Sequence, residues 1–218
     1  MKLYGIVGAG GYGREVMPLV QEMILVSSFS TAAHCVFVVE NAKEKIVNGL
    51  PVLSPEEFFS HPAQEKFFNV AIAASHVRER IASAFIAQGI VPFTVTSSQS
   101  VVYRTADIGE GAIINPFATI SANSKIGKFF HANFYSYVAH DCVIGHYVTF
   151  APGVKCCGNV VIDDHAYVGA GAVIKQNTAE KPIVIGAGAV IGMGAIVTKS
   201  VPAGMTVVGN PARPLNKH

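Results

Sequence analysis

An apolar residue recurs at every sixth position from Val102 to Ile174, and this period constrains the fold more than any other feature of the chain. The positions are 102, 108, 114, 120, 126, 132, 138, 144, 150, 156, 162, 168 and 174. Four residues after each stands mostly a small residue, and Phe130 is the one bulky departure. A six-residue period is typical of a parallel β-helix, in which three hexads close one triangular coil and successive coils stack about 4.8 Å apart.

The residue that follows each apolar position predicts where the coil turns. It is often glycine, asparagine or aspartate, as at Gly109, Asn115 and Asp163. These residues tolerate tight turns, so we expect them to form the corners of the prism. The period slips by five residues through 180–182, a loop by composition, and resumes at Ile185.

Residues 1–97 instead alternate strand-like and helix-like segments. The predicted strands are 3–7, 35–39 and 70–74, and the predicted helices are 12–25 and 77–88. In the second helix we expect Ile81, Phe85 and Ile86 to share the buried face. This alternation predicts a small parallel sheet with helices on its faces, a Rossmann-like βαβ domain over residues 1–97. The Ser-Ser-Gln-Ser stretch at 97–100 marks a junction, and residues 98–218 form the β-helix domain.

The composition and the distribution of apolar residues favour a packed core over a membrane-spanning segment. Half the residues are hydrophobic and 14% are charged, but no apolar run approaches the roughly 18–20 residues of a spanning helix. No signal-peptide pattern opens the sequence, and the four cysteines form no CxxC pair. A net charge of +2 without a basic cluster gives no support for nucleic-acid binding. We therefore expect a cytoplasmic protein with neither a membrane nor a nucleic-acid partner.

Three further segments resemble a known family when they are taken together with the hexads. They are GAGGYGRE at 8–15, VAHDCVIG at 138–145, and VPAGM at 201–205 followed by VGNPA at 208–212. The chain resembles the hexapeptide-repeat transferases, in particular the branch of sugar acyltransferases that contains bacterial nucleotide-4-amino-sugar N-acetyltransferases and sialic acid O-acetyltransferases. The resemblance covers essentially the whole chain. It implies a left-handed β-helix that forms a homotrimer, acetyl-CoA as co-substrate in the groove between prisms, and a nucleotide-linked sugar on the amino-terminal sheet.

His140 is the candidate general base. It occupies the third position of its hexad, which points outward. Transfer of an acetyl group to an amine requires removal of a proton from the nitrogen, and a histidine general base contributes about 10²–10⁴-fold. The adjacent Asp141 favours the protonated ring and so strengthens the base. The resemblance implies the same pair, because the family has a histidine followed by an acidic residue here. The alternative is a surface histidine beside a solvated carboxylate.

Five other residues are predicted to form the acetyl-CoA site: Asn133, Thr149, Gly158, Ala170 and Gly188. Asn133 matches an asparagine that lines the acetyl site, although a corner asparagine is the alternative. Gly158 follows His140 by one coil, and its N–H could receive the oxyanion of a tetrahedral intermediate; a glycine required by backbone geometry is the other interpretation. Ala170 and Gly188 match backbone contacts to the pantetheine arm. Thr149 stands where some relatives place a histidine near the cofactor.

Gly8-x-Gly10-x-x-Gly13 lies between a predicted strand and helix, where backbone N–H groups of Gly10, Gly11 and Tyr12 can approach a diphosphate or sugar. Only about half a dinucleotide domain precedes the hexads, which favours a mononucleotide over NAD. Glu40 and Asn41 match paired acidic positions that hold the nucleotide in the family. Asn41 departs from the usual aspartate and leaves the identity of the nucleotide base open. A tight turn without a ligand is the alternative.

The predicted function is acetyl-CoA-dependent N-acetylation of a nucleotide-linked 4-amino-4,6-dideoxy sugar in bacterial polysaccharide or glycan biosynthesis, such as lipopolysaccharide O-antigen, by direct transfer. Three alternatives stay open. The scaffold also suits O-acetylation of sialic acid or a related sugar. A subunit that only binds a nucleotide sugar is the second. The third is a zinc enzyme of the γ-carbonic anhydrase type, for which His131, His146 and His165 are further candidate ligands; we expect no metal.

Overall fold

A computed structural model of the protein describes residues 1–26 and 33–215. Their contacts divide the chain into two compact units, residues 1–97 and 98–218. No helix within the described ranges is both long and apolar enough to cross a membrane.

The amino-terminal unit alternates strands and helices. Its elements in chain order are β1 (Lys2–Val7), α1 (Gly11–Val26), β2 (Ala33–Val38), β3 (Ile46–Val47), β4 (Leu50–Leu53), α2 (Pro55–Ser60), β5 (Glu65–Val70), α3 (Ser75–Ala87), β6 (Val91–Pro92) and β7 (Val95–Thr96).

Six strands of this unit form one sheet in the order β3-β4-β2-β1-β5-β6. The strands β4, β2, β1, β5 and β6 run parallel, and β3 pairs with β4 as an antiparallel hairpin. The predicted Rossmann-like arrangement is confirmed. The predicted strand at 70–74 is wrong, because β5 ends at Val70 and the apolar run after it is a loop. Arg78 holds that loop, since its Nη1 donates to Ile72 O at 2.7 Å and Ala73 O at 3.1 Å.

Two helices differ from the sequence expectation. Helix α2 was not predicted, although Ser54 and Glu57 form a capping box in which each side chain accepts the other residue's backbone N–H. In α3 the expected buried face is wrong in part: Arg78, Ala82 and Phe85 are buried, whereas Ile86 is 43% exposed. The helix therefore packs through a face that includes the charged Arg78. A search for apolar periodicity does not assign such a residue to the buried face.

The second unit consists of short strands and turns. Its strands are β8 (Val101–Val102), β9 (Asp107–Ile108), β10 (Ile113–Ile114), β11 (Thr119–Ile120), β12 (Lys125–Ile126), β13 (His131–Ala132), β14 (Tyr137–Val138), β15 (Val143–Ile144), β16 (Thr149–Phe150), β17 (Lys155–Cys156), β18 (Val160–Ile162), β19 (Tyr167–Val168), β20 (Val173–Ile174), β21 (Ile183–Ile185), β22 (Val190–Ile191), β23 (Ile196–Val197), β24 (Thr206–Val208) and β25 (Arg213–Pro214).

From β8 to β23 each strand pairs in parallel with the strand three places further on, so the unit has three faces. At the end of the unit β24 pairs in parallel with β22, and β25 pairs antiparallel with β24. One face contains β8, β11, β14, β17, β20 and β23, a second contains β9, β12, β15, β18 and β21, and the third contains β10, β13, β16, β19, β22, β24 and β25. Partners in the first coils are eighteen residues apart, as in the pairing of Thr119 with Tyr137. Partners that lie on either side of the loop are 23 apart, as in the pairing of Val160 with Ile183, because the five extra residues loop out. This is the predicted left-handed parallel β-helix.

The inward positions of the hexads form the core of the prism. Ile114, Ile120 and Val138 at the apolar positions are fully buried, as is Ala118 at a small position. The bulky Phe130 is accommodated because its ring packs edge-on against Phe150, with centroids 5.1 Å apart and the planes at 80°. The six-residue period thus predicts the core of the prism. Its one bulky exception, Phe130, also packs inside that core.

The corners lie two residues later than expected. Left-handed φ angles occur at the third residue after the apolar position, from Phe117 (φ 61°) to His165 (φ 63°). Gly109 and Gly127 have no such angle; a Cβ on Gly109 would lie 2.8 Å from the backbone of Gly127 in the next coil. Glycine directly after the apolar residue is therefore required by close approach of neighbouring coils and not by the turn.

The left-handed positions form three columns along the edges of the prism, and their side chains differ. The first aromatic edge carries Phe117 and Tyr135, the second aromatic edge carries Phe129, Tyr147 and His165, and the polar edge carries Asn123, Asp141 and Asn159. On both aromatic edges the rings stack with centroids 5.0–5.4 Å apart. The polar edge contains the candidate base.

Candidate active site

His140 and Asp141 lie on the polar edge, in the turn between β14 and β15. His140 Nδ1 and Asp141 Oδ2 are 2.8 Å apart, and the two side chains are 45% and 47% exposed. Because a carboxylate only accepts, Nδ1 carries the hydrogen and Nε2 is left with a lone pair. The structure thus brings the two predicted catalytic residues into direct contact at a solvent-facing position.

Asp141 has a second partner from the preceding coil. Asn123 Nδ2 donates to Asp141 Oδ1 at 3.1 Å. The hydrogen bond from His140, and after it the one from Asn123, lower the pKa of the Asp141 carboxyl below its ordinary value. Asp141 is therefore an anion throughout the neutral pH range. The sequence analysis did not identify Asn123, although the coil length of eighteen residues places it directly beside Asp141.

Gly158 contacts the edge of the imidazole. A Cβ at this position would lie 2.6 Å from His140 Cε1 and 2.7 Å from Nε2. The neighbouring amides are engaged, since Cys157 N–H donates to Ile174 O and Asn159 N–H to His140 O. No main-chain acceptor serves the Gly158 N–H within residues 98–215. Glycine is therefore required sterically beside the imidazole, and its N–H is not used by the described main chain of this unit.

Cys142 lies close behind the pair but faces the core. It is fully buried, and its Sγ is 3.2 Å from Cys157 O and 4.0 Å from the Sγ of Cys156. A thiol in this position packs inside the prism, whereas His140 faces outward.

Two predicted acetyl-CoA residues are tied into the β-helix itself. Asn133 is half-buried, and its Nδ2 donates to Phe150 O at 3.0 Å, the same contact that Asn115 makes to Ala132 O one coil earlier. Its Oδ1 is the atom that remains for a ligand. Thr149 is only 3% exposed and pairs in register with His131.

The other two lie at turns further along the chain. Gly188 has a φ of 65°, and a Cβ there would meet nothing within 4 Å among the described residues. Its N–H donates to Asp164 O, and Ala170 O accepts from Gly194 N–H. An extended ligand at this position could therefore use the Gly188 carbonyl and the Ala170 N–H.

The glycines after β1 fall into two pairs. Gly8 (φ 103°) and Gly13 are needed by the backbone, because a Cβ on Gly13 would collide with Gly8 O. Gly10 and Gly11 are exposed, and a Cβ on either would meet no described atom within 4 Å. The tight-turn interpretation accounts for the first pair only. The second pair leaves open space beside the N-terminus of α1, where an anion is favoured.

Glu40 and Asn41 follow β2 at the carboxyl end of the sheet, and both are exposed. They line a cavity of about 330 Å³ together with Lys45. A second cavity, of about 270 Å³, is lined by Gly10 and Lys43, and Val39, Ala42 and Val52 contribute to both. The structure thus places three of the predicted substrate residues, Gly10, Glu40 and Asn41, around adjoining cavities, whereas Gly11 and Tyr12 line neither. The sequence analysis did not identify the two lysines, because no motif in the sequence marks them.

Three of the histidines considered as metal ligands lie in separate surroundings. His146 Nδ1 accepts the Lys128 N–H at 3.0 Å, His140 Nδ1 faces Asp141, and His131 is fully buried. Within residues 98–215 these three side chains do not gather into one ligand set.

Comparison with known proteins agrees with this geometry. Residues 5–85 match the PglD N-terminal domain family. The chain is 56% identical over 217 residues to the GDP-perosamine N-acetyltransferase of Escherichia coli O157:H7, with 100% of this chain and 98% of that protein covered. WeeI from Acinetobacter baumannii AYE superposes with a TM-score of 0.93 at 53% identity, over 99% and 100% of the two chains. The acetyltransferase domain of PglB from Neisseria gonorrhoeae FA1090, solved with acetyl coenzyme A, gives 0.87 at 28% identity over 98% of each chain.

A β-helix joined to a Rossmann-like unit, with an outward His-Asp pair, defines a hexapeptide-repeat transferase. The chain belongs to the sugar acyltransferase family, as its sequence predicts, and it is an N-acetyltransferase of that family.

Proposed function

We propose that this protein transfers the acetyl group of acetyl-CoA to the amino group of a nucleotide-linked 4-amino-4,6-dideoxy sugar, and that GDP-perosamine is its substrate. The identity of 56% to a GDP-perosamine N-acetyltransferase extends along the whole chain and so covers both units. It supports guanine as the base that the sequence left open.

The observation that carries this proposal is the His140–Asp141 pair with Gly158 against the ring. Asp141 fixes the tautomer of the imidazole, so Nε2 can accept a proton. Gly158 lies within contact of that nitrogen, and its N–H can donate to an oxygen that becomes negative next to the attacking amine.

The reaction requires a base, a donor for the oxyanion and an acid, and the site can supply all three. Acetyl-CoA supplies the thioester. As the neutral amine of the sugar attacks the thioester carbonyl, a C–N bond forms and His140 Nε2 takes a proton from the nitrogen. The Gly158 N–H stabilises the oxyanion. When the C–S bond breaks, the imidazolium returns its proton to the thiolate of CoA, and His140 is neutral again.

The amino-terminal unit would hold the nucleotide. We propose that the N–H groups of Gly10, Gly11 and Tyr12 approach the diphosphate, because the open N-terminus of α1 favours an anion. Glu40 and Asn41 would bind the base or ribose, and Lys43 adds positive charge beside Gly10 in the same cavity.

Asn133, Thr149, Ala170 and Gly188 are proposed to bind acetyl-CoA. We propose a cytoplasmic homotrimer, in which the groove between neighbouring prisms holds the co-substrate, and a role in bacterial polysaccharide biosynthesis such as that of the O-antigen. The backbone at Gly188 is open, which supports the position of the pantetheine arm.

The test is release of CoA thiol with GDP-, UDP- and dTDP-linked 4-amino-4,6-dideoxy sugars, with free sialic acid as the contrast. We expect turnover with the GDP sugar. Activity with sialic acid alone would instead indicate O-acetylation, and another nucleotide would correct the base.

The same assay separates an enzyme from a binding subunit. His140→Ala should lower kcat by about 10²–10⁴-fold, and His146→Ala, an exposed histidine with its Nδ1 on a backbone amide, should leave it unchanged. An unchanged rate for His140→Ala would remove the mechanism.

A further inference from the structure

Asn123 is one coil before Asp141 on the polar edge. Its Nδ2 donates to Asp141 Oδ1 at 3.1 Å, while Oδ2 of the same carboxylate faces His140 Nδ1 at 2.8 Å. Each oxygen of Asp141 therefore has its own partner. The two partners come from different coils and so fix the plane of the carboxylate.

Asn123 is itself anchored. Its backbone N–H donates to Thr105 Oγ1, one further coil back, at 3.2 Å. A continuous series of hydrogen bonds thus runs along the edge from Thr105 through Asn123 and Asp141 to His140. The series ends where the candidate base faces solvent.

The need for such an anchor follows from exposure. Asp141 is 47% exposed, and a carboxylate held at one oxygen rotates easily about its last torsion, which has no sharp preference. A rotating carboxylate would release Nδ1 and allow the imidazole to turn or change tautomer. Hydrogen bonds to charged groups are among the stronger ones in proteins, so a second bond can restrict this rotation.

The simplest alternative is that asparagine is present because it tolerates the left-handed conformation at φ 59°. The other edges of the prism show that tolerance of this conformation is not a sufficient reason for asparagine. At the equivalent left-handed positions they carry phenylalanine and tyrosine, for example Phe117 and Tyr135. The fold thus accepts side chains with no such preference, and an amide at 123 calls for a cause of its own.

We propose that Asn123 is a positioning residue for acetyl transfer: its amide holds the Asp141 carboxylate, which in turn holds His140 in the orientation that leaves Nε2 as the base. This inference rests on the proposed function. Asn123 touches no reacting atom, and its effect passes through Asp141.

Two substitutions separate the positioning role from the backbone role. Asn123→Gly keeps the left-handed backbone and removes the amide, and kcat should fall about tenfold with both KM values unchanged. Asn123→Asp keeps the size and tolerates the same backbone, but it sets a carboxylate against Asp141, so kcat should fall further. Asn48→Gly, at an exposed left-handed turn in the β3–β4 hairpin (φ 48°), is the matched control and should not change kcat.

A double-mutant cycle supplies a readout that a purely structural role would not move. Once Asp141→Asn has removed the charge, adding Asn123→Gly should have no further effect on kcat. Full activity of both Asn123 variants, or effects that simply add in the double variant, would overturn the proposal. Thermal melting of each variant shows that it is folded.

A second measurement needs no substrate. Carbon-13 NMR titration of the Asp141 carboxyl should give a higher pKa in Asn123→Gly than in the wild type, because a hydrogen bond to the charged form is lost. If the wild type transfers acetyl but the Asn123 variants match it, this inference alone fails. If the wild type transfers no acetyl group, the proposed function and the positioning role both fall, whatever the titration shows.

Discussion

The polar edge and the second aromatic edge of the prism use one backbone geometry for different purposes. Asn123, Asp141 and Asn159 have φ angles of 56–59°, and Phe129, Tyr147 and His165 have angles of 53–63°. On the aromatic edge the rings stack on one another within 7° of parallel. On the polar edge the side chains hydrogen-bond from coil to coil and end on His140. In this repetitive fold the backbone is constant, and the side chains at its corners decide what each edge does.

The largest effect is expected from substitutions at two glycines, one beside His140 and one at a corner of the prism. Gly158→Ala should displace the His140 ring, and a misplacement of about 1 Å can lower kcat about a hundredfold. Stability should change little, because the ring is exposed enough to move. Gly153→Ala, in the same column as Phe117 and Tyr135, should do the reverse: at φ 74° it should lower the free energy of unfolding by about 1–2 kcal/mol and leave kcat intact.

Denaturant unfolding and steady-state kinetics of the two variants measure both quantities. If Gly158→Ala lost stability and kept its kcat, Gly158 would belong with the structural corners.

A smaller effect is expected on the second aromatic edge. Tyr147 stacks between Phe129 and His165, with both centroid distances at 5.4 Å. Tyr147→Ala should lower the free energy of unfolding by about 1–3 kcal/mol, because two ring contacts are lost, and should not change kcat. Tyr135→Ala is the matched control, since Tyr135 stacks on Phe117 and is 58% exposed. Urea denaturation should therefore show a smaller loss for Tyr135→Ala, and equal losses would contradict the stacking argument.

The smallest effect is the pH dependence of the polar edge. The pKa of Asp141 is lower in the folded protein than its ordinary value, mainly because of the hydrogen bond with His140. Its contribution to stability is therefore present above the unfolded-state pKa and is lost as the pH falls through the folded one. The carboxylate is open to solvent, so the contribution is small.

Melting temperatures of the wild type and Asp141→Asn, measured from pH 7 down to pH 3, check this prediction. The difference between the two proteins should shrink as the pH falls below about 4. A difference that grew toward acid would show that Asp141 stabilises the fold by its neutral form.

The sequence predicts the prism better than the sheet. The apolar period reports the core directly, since the hexad positions Ile114 to Ile174 are buried. In the amino-terminal unit the strand was placed at 70–74 instead of Glu65–Val70. The apolar run Ala-Ile-Ala-Ala at 71–74 is a loop whose carbonyls accept from the buried Arg78, and local hydrophobicity cannot distinguish such a loop from a strand.

Contacts in the site could be predicted when the two residues are neighbours in sequence or are one coil, eighteen residues, apart. His140 and Asp141 are neighbours in sequence, and Gly158 is eighteen residues beyond His140. Asn123 has the same spacing from Asp141, but an asparagine at a corner looks ordinary in the sequence. Only the 3.1 Å contact distinguishes it. Lys43 and Lys45 required the shape of the cavities beside β2, which no pattern supplies.

The eighteen-residue pairing of the coils also determines how the prism comes apart. In a stack in which each coil contacts only its neighbours, unfolding begins at the ends and proceeds inward one coil at a time. The coil of His140 has the Asn123 coil on one side and the Gly158 coil on the other, with further coils beyond both. The His140–Asp141 pair is thus protected from fraying at either end, and amide protons around it should be among the slowest of the prism to exchange with solvent.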